Sequence, residues 1–407
     1  MIRVQVYINV FLFLNLFLHS TKADELELVQ IIVNNSHKNI IMHKIIINMK
    51  WNILSIEMMI FRHGDRTPSK EEIYPKLSYN PIYDTLGYGQ LTERGKIREF
   101  CLGTMLRKRY STFLGRSHTY GSVYAYSTDI DRTKMSLQLV LAGIYPPTLT
   151  DSGYLELSPI PAYYEPLIVD NILCAENCPR YKQEYKKIKA TPTIVSTVLE
   201  NKKLFEYIGE NTGIDMTVDP ILSTYGLYIF LTTQESLNIT LPEWATEEVQ
   251  TKMKPIVELE YQIRSYNTLM KRLNGGHLVQ EFIKNMNAKR NQTSPKVYVY
   301  SGHEINVAAF AKAHNFVEPE IPSFGSAIIV EKLRDSKGKH FVQLYLWTGV
   351  TQELKPYKLS KCDKKCPYEK YITIMEHVIP LEEDLNCSWN NVSLDQLHQY
   401  YSTTVDT

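Results

Sequence analysis

The chain has 407 residues, 44% of them hydrophobic, enough to bury one large core or two moderate ones. Its 45 lysines and arginines face 44 aspartates and glutamates, so no global field would draw nucleic acid or an anionic membrane. Any anion site must be local.

At the N-terminus Arg3 precedes an apolar stretch from Val4 to Leu18, followed by small residues at Thr21 and Ala23. This order predicts a secretory signal over residues 1–23, cleaved after Ala23. A membrane anchor is the competing reading, but the stretch is shorter than the ~20 residues a span needs and holds Asn9 and Asn15. The mature chain is therefore expected to be secreted and free of the membrane. "DELELVQIIV", residues 24–33, reads as a first strand, and Ile53–Phe61 as a second candidate. The stretch between them is dominated by Asn, Ile, Lys, Met and His, so about 34–60 reads as an insertion, in the manner of a translated intron. Without it, "LVQII" would run into "FRHGDR".

Three segments share one design, an apolar β-rich run, a polar turn and a charged helix start: "ILSIEMMIFRHGDR", "SVYAYSTDIDRTKMSLQLVLAGI" and "KVYVYSGHEINVAAFAKAH". In open α/β sheets the carboxyl ends of strands form the ligand crevice, so the three are expected to converge. Between the first two, a helix is predicted from Thr92 to about Tyr110, with Thr92 as N-cap and Ile97, Cys101 and Met105 on one stripe. Residues 161–269 turn lysine- and glutamate-rich with helical texture and read as a helical cap. The α/β part is then 61–160 with 270–388, closed by a hairpin turning near Asp335–Lys339 and a polar tail at 389–407. The fold class expected is α/β, an open mixed, mostly parallel sheet flanked by helices.

An oxidising route favours disulfides over free thiols. Cys362 and Cys366 are close enough for a local bridge, Cys178 and Cys387 are candidates for a long one, and spacing leaves open whether Cys101 and Cys174 pair. Asn238, Asn291 and Asn391 begin glycosylation sequons, and Asn34 and Asn386 match formally.

The chemistry concentrates in "FRHGDR". A neutral imidazole at His63 is a nucleophile for phosphorus, and Arg62 and Arg66 carry planar forks that match phosphate oxygens. Gly64 would let the backbone approach the bound group. The alternative is a solvated basic turn beside a core histidine. Asp65 could orient Arg66 or the imidazole, or face solvent.

"RHGDRTP" and the later "SGHE" together resemble the histidine acid phosphatase family, which includes prostatic, lysosomal and insect venom enzymes. The similarity extends through "GQLTERG", "YSTDIDRT", "NCPRY", "LNITLPEWAT", "NGGHLV" and "KCDKKCP" to "CSW". It implies the α/β fold of the phosphoglycerate mutase-like enzymes and hydrolysis of small-molecule or peptide phosphate monoesters without a cofactor. By the resemblance His63 is phosphorylated, Arg62, Arg66, Arg132 and His303 hold the phosphate, and Glu304 protonates the leaving oxygen. Many relatives carry aspartate where Glu304 stands, a departure that could misplace the proton by ~1 Å and cost ~10²-fold. The resemblance also implies the bridges Cys178–Cys387 and Cys362–Cys366, allows a homodimer, and admits the lysosomal lumen besides secretion.

Other signals are weaker. Cys101 and Arg107 have the C-x5-R spacing of cysteine phosphatases, but they lie in a helical pattern rather than a glycine-rich loop. Asp129 and Asp131 resemble a metal pair, yet aspartate at a helix start is more often a cap. His118, His277, His314, His340 and His377 lack motif context. A phytase would need a broader basic rim, and a binding protein of the same fold with little turnover is the reading from another class.

Overall fold

The chain divides into two units, Met1–Asn52 and Ile53–Thr407. The computed structural model describes residues 53–149, 153, 155, 156, 158–289, 291, 294–384, 393, 396, 399 and 400. The expected signal, the 24–33 strand, Cys387 and Asn391 therefore lie outside the described residues.

The strands are β1 (Ile53–Arg62), β2 (Val123–Ser127), β3 (Thr148–Leu149), β4 (Leu155–Glu156), β5 (Ala162–Tyr163), β6 (Val297–Gly302), β7 (Ala327–Arg334), β8 (His340–Trp347), β9 (Leu354–Tyr357) and β10 (Cys366–Pro367). The main sheet has eight strands in the order β10-β8-β7-β1-β6-β2-β5, with β9 on β8, while β3 and β4 pair separately. β1, β6, β2 and β5 run parallel, and β7 to β10 extend the sheet by antiparallel pairing. This is the mixed α/β arrangement expected, and its parallel part carries the site. Within the stretch read as an insertion, Ile53–Ile60 form most of β1, at the centre of the sheet.

β1 is apolar on both faces because both are covered, as a central parallel strand requires. Its alternating side chains feed two cores. Ile56, Met58 and Ile60 pack with Phe282 and Phe310, from the helices His277–Asn287 and Glu304–Ala313. Met59 and Phe61 pack with Leu102, Leu106 and Val140, from the helices Glu93–Arg109 and Asp131–Ile144.

Thr92 caps the first of these helices as expected, its side chain accepting from Gly95 N–H at 3.1 Å. The buried stripe differs from the expected one. Arg98, Glu99, Leu102 and Leu106 face inward, while Ile97 is 63% exposed. The reason lies in the helix's first turn, where a Cβ on Gly95 would stand 2.1 Å from Asp65 O and one on Gly64 would stand 2.6 Å from Gly95 O. Backbone contact with the 64–65 turn fixes the helix rotation. Gly64 thus admits the close approach of the helix.

From Pro179 to Lys271 the described chain is helical, with Pro179–Lys189, Pro192–Glu200, Lys202–Thr212, Pro220–Ser236 and Glu247–Ile263 as its long elements. Val257 and Tyr261 of the last pack on Ala308 of the helix that follows β6.

Candidate active site

Three strand ends meet side by side. β1 ends at Arg62 and continues into His63, β6 leads to His303 and Glu304, and β2 leads through Thr128 to the helix carrying Arg132. Short ladder bonds hold them in step: His63 N–H donates to Gly302 O at 3.0 Å, and Thr128 N–H to Ser301 O at 3.2 Å. The expected convergence of the three motif segments is what the sheet order produces.

His63 is 1% exposed. Its Nδ1 lies 2.8 Å from Gly64 O, and since a carbonyl only accepts, the proton sits on Nδ1 and Nε2 keeps its lone pair. Burial, then Arg132, Arg62, His303 and Arg66, hold its pKa well below the usual histidine range. The ring is therefore a neutral base with one free nitrogen. His303 stands edge-on to it, with centroids 5.4 Å apart. Its Nε2 lies 3.1 Å from Thr128 Oγ1, and its backbone N–H donates to Asn306 Oδ1 at 2.9 Å. Burial and Arg132 push it down to about 3.

The arginines are held by their outer atoms. Arg62 donates from Nη1 to Pro322 O at 2.7 Å and lies over the Phe324 ring at 4.0 Å. Arg66 gives Nη1 and Nη2 to the Glu72 carboxylate at 2.7 and 2.5 Å. Arg132, half-buried, is pushed down to about 10 by burial and by Arg66. What remains is unusual: Arg62 Nε and Nη2, Arg66 Nε and Arg132 Nε are buried and make no hydrogen bond. Arg62 Nε does lie 3.1 Å from Glu304 Oε2, an ion pair without hydrogen-bond alignment. Buried polar groups are nearly always satisfied, so a group of partnerless cationic donors beside a neutral imidazole marks a place for an anion.

Glu304 is 9% exposed. Burial alone would raise its pKa, but Arg62, then His303, Tyr225 and Arg66, hold it well below the carboxylate range. The Tyr225 hydroxyl donates to its Oε1 at 2.7 Å. Tyr225 comes from the helix Pro220–Ser236 and stands perpendicular to Tyr261 at 5.5 Å. Neither Tyr225 nor Glu72 was visible in sequence, because each reaches the site from outside the motifs.

Several expectations need correction. Asp65 neither orients the imidazole nor faces solvent; it is 1% exposed and bound by Arg98 at 2.5 and 3.2 Å. Asp131 does not cap its helix, whose N-cap is Ile130, and Asp129 pairs with Lys134 and accepts from Tyr400. Cys101 lies inside a helix, and both it and Cys174 are free thiols, so they do not pair. Cys362–Cys366 is a disulfide, and Cys178 is disulfide-bonded. Asn238 and Asn291 are exposed. Among the described residues no group of His, Cys, Asp and Glu is arranged to hold a metal, and no helix is long and apolar enough to cross a membrane.

Comparison with known proteins agrees with this geometry. The family model described as "Histidine phosphatase superfamily (branch 2)" matches residues 56–346. Venom acid phosphatase Acph-1 of Apis mellifera is 36% identical over 355 residues, covering 83% of this chain and 90% of the relative. Prostatic acid phosphatase of Rattus norvegicus is 33% identical, covering 82% and 89%. Among solved structures, Hafnia alvei phytase in complex with myo-inositol hexakis sulphate superposes with a TM-score of 0.62 at 16% identity, covering 81% and 98%, a likeness of fold. Family and fold together support histidine-phosphatase hydrolase chemistry. On the matched motifs, the sheet and the relatives, the chain belongs to the histidine phosphatase superfamily, branch 2, and is related to the venom, prostatic and lysosomal acid phosphatases.

Proposed function

We propose that the protein is a secreted acid phosphatase that hydrolyses phosphate monoesters through a phosphohistidine on His63. The observation that carries this reading is the group of partnerless guanidinium nitrogens around a neutral, Nδ1-protonated imidazole. Arg62, Arg66, Arg132 and His303 hold the phosphoryl oxygens, neutralising charge that a metal would otherwise meet. His63 Nε2 attacks phosphorus, a P–N bond forms as the ester P–O bond breaks, and Glu304 gives its proton to the departing oxygen. Water, losing a proton back to Glu304, then splits the P–N bond and releases phosphate.

Glu304 is ionised in the free site, so the proton it donates must arrive with the substrate. A phosphate monoester has a second pKa near ~6, and below it the substrate enters as a monoanion carrying one proton. As the phosphate takes up the charge of Arg62, the force that held Glu304 ionised weakens, and the proton moves to the carboxylate. Activity is therefore expected to be confined to acid pH. Glu304's ion pair with Arg62 is also what favours the competing reading, a phosphate-ester-binding protein with little turnover.

Secretion rests on the N-terminal signal pattern and is in keeping with the Cys362–Cys366 disulfide; the lysosomal lumen is the alternative. Glycosylation at Asn238, Asn291 and Asn391 and a homodimer belong to the same reading.

The test is rapid quenching into alkaline denaturant, where a P–N bond persists, with a phosphorus-labelled monoester. Label should appear on His63, and His63→Ala should lose both the label and at least ~10³-fold in turnover. Turnover that survives in that variant rejects the nucleophile. Binding with no label in the intact chain favours the binding protein.

A further inference from the structure

One carboxylate at the site has no role in the mechanism above. Glu72 ends the short turn Lys70–Glu72, and its oxygens take both Nη groups of Arg66 at 2.7 and 2.5 Å and the N–H of Ser69 at 2.9 Å. Its side chain is 18% exposed against 4% for Arg66, so Glu72 is the partner with access to solvent. Its charge also reaches Arg132, whose proton affinity it raises. The rim is tight there: a Cβ on Gly89 would stand 3.3 Å from Ser69 Oγ and 3.4 Å from Arg132 Nη1. A partly accessible carboxylate therefore sits against Arg66 and within electrostatic reach of Arg132, leaving Arg66 only Nε without a partner.

A tether for Arg66 would explain the bidentate pair alone. It does not explain a carboxylate that keeps access to solvent and acts on a second arginine. With His63 and His303 neutral, three arginines set against Glu304 and Glu72 leave charge enough for one phosphate and little for a second.

We propose that Glu72 is a charge filter that restricts the site to a single phosphoryl group whose leaving group carries no second anion beside it. The chemistry so selected is that of simple alkyl and aryl monoesters, and the chemistry turned away is that of diphosphates and vicinal polyphosphates. The inference rests on the phosphate clamp proposed above and deepens it.

The experiment measures the dissociation constants of inorganic phosphate and of pyrophosphate by calorimetry at low salt, for the intact chain, Glu72→Gln and Glu72→Ala. Like charges a few ångströms apart repel by about a factor of ten or more in binding, and salt screens the repulsion. Both variants should tighten pyrophosphate about tenfold more than phosphate, with the gain shrinking as salt is added. An unchanged ratio, or parallel weakening of both ligands, would show Glu72 to be only a support for Arg66. Either variant alone decides the matter, should the other fail to fold. Hydrolysis of nitrophenyl phosphate is followed alongside. A shifted binding ratio without hydrolysis would overturn the catalytic reading and leave the filter standing, whereas hydrolysis with an unshifted ratio would overturn the filter alone.

Discussion

β1 carries two buried charge clusters, and they are built on opposite principles. In its first half Glu57, 1% exposed, pairs in register with Glu331 of β7. Burial, then the neighbouring Glu331, raises Glu57 well above the carboxylate range, so it is kept neutral. Its neighbour Glu331 accepts at Oε1 from Arg109 Nη2 at 2.7 Å and from the Tyr110 hydroxyl at 2.8 Å. Five residues on, Arg62 and His63 join Arg66 and Arg132 in a cluster whose inner donors have no acceptor. Buried charges that satisfy one another are structure. Buried cationic donors left unmatched, in a protein that could have matched them, are a receptor whose missing partner is the ligand.

The largest effect should come from breaking the unmatched side. Arg132→Ala removes a donor that meets the phosphoryl group, and kcat/KM should fall by ~10²- to 10³-fold. Because Arg132 Nε has no protein partner to strand, the melting temperature should hold or rise. A lost activity accompanied by a fall in melting temperature would mean Arg132 is part of the scaffold.

The matched side should respond in the opposite way. Glu331→Ala leaves the partly exposed Arg109 without its carboxylate and the buried Tyr110 hydroxyl without its acceptor, and should cost ~1–2 kcal/mol of unfolding free energy in urea titrations. The folded protein should keep kcat/KM within about twofold, because the cluster lies at the other end of β1 from His63. A loss of activity at constant stability would mean that the two halves of the strand are coupled.

That contrast was only half legible in the sequence. The apolar-run, turn, charge pattern located the strand ends that carry Arg62, His63, Arg132, His303 and Glu304, because a buried parallel strand and a helix N-terminus impose composition locally. The adjacency of β1, β6 and β2 follows from topology, which no single segment encodes. Helix Glu93–Arg109 shows the limit: its ends follow from the cap and the basic last turn, but its inward face is set by the Gly64–Gly95 approach and by the Asp65–Arg98 pair. An apolar stripe was the wrong guide where the buried side chains include Arg98 and Glu99. Glu72 and Tyr225 were illegible for a related reason. Each acts on a motif residue across a turn or from a separate helix, and neither position is marked by spacing.

Glu304 belongs to both kinds of charge, being paired like Glu331 yet placed beside the unmatched donors, and Tyr225 is the smallest lever on it. The groups facing the carboxylate are Arg62 from β1, His303 before it, Arg66 from the turn after β1, and Tyr225 from the helical segment, with Tyr261 and Arg264 behind Tyr225. The Tyr225 hydroxyl bonds to the carboxylate and favours its charged form, so Tyr225→Phe should raise the pKa of Glu304. Once the substrate has brought its proton in, a Glu304 of raised pKa holds that proton to higher pH in the bound complex, so the alkaline limb of kcat for an alkyl phosphate should move upward. A hydrogen bond to a charged group is worth ~1.5 kcal/mol, which places the shift at about one pH unit. For nitrophenyl phosphate, whose leaving group hardly needs the proton, the limb should stay where it is. Parallel movement of both limbs would assign the titration to another group, and no movement of either would reduce Tyr225 to packing.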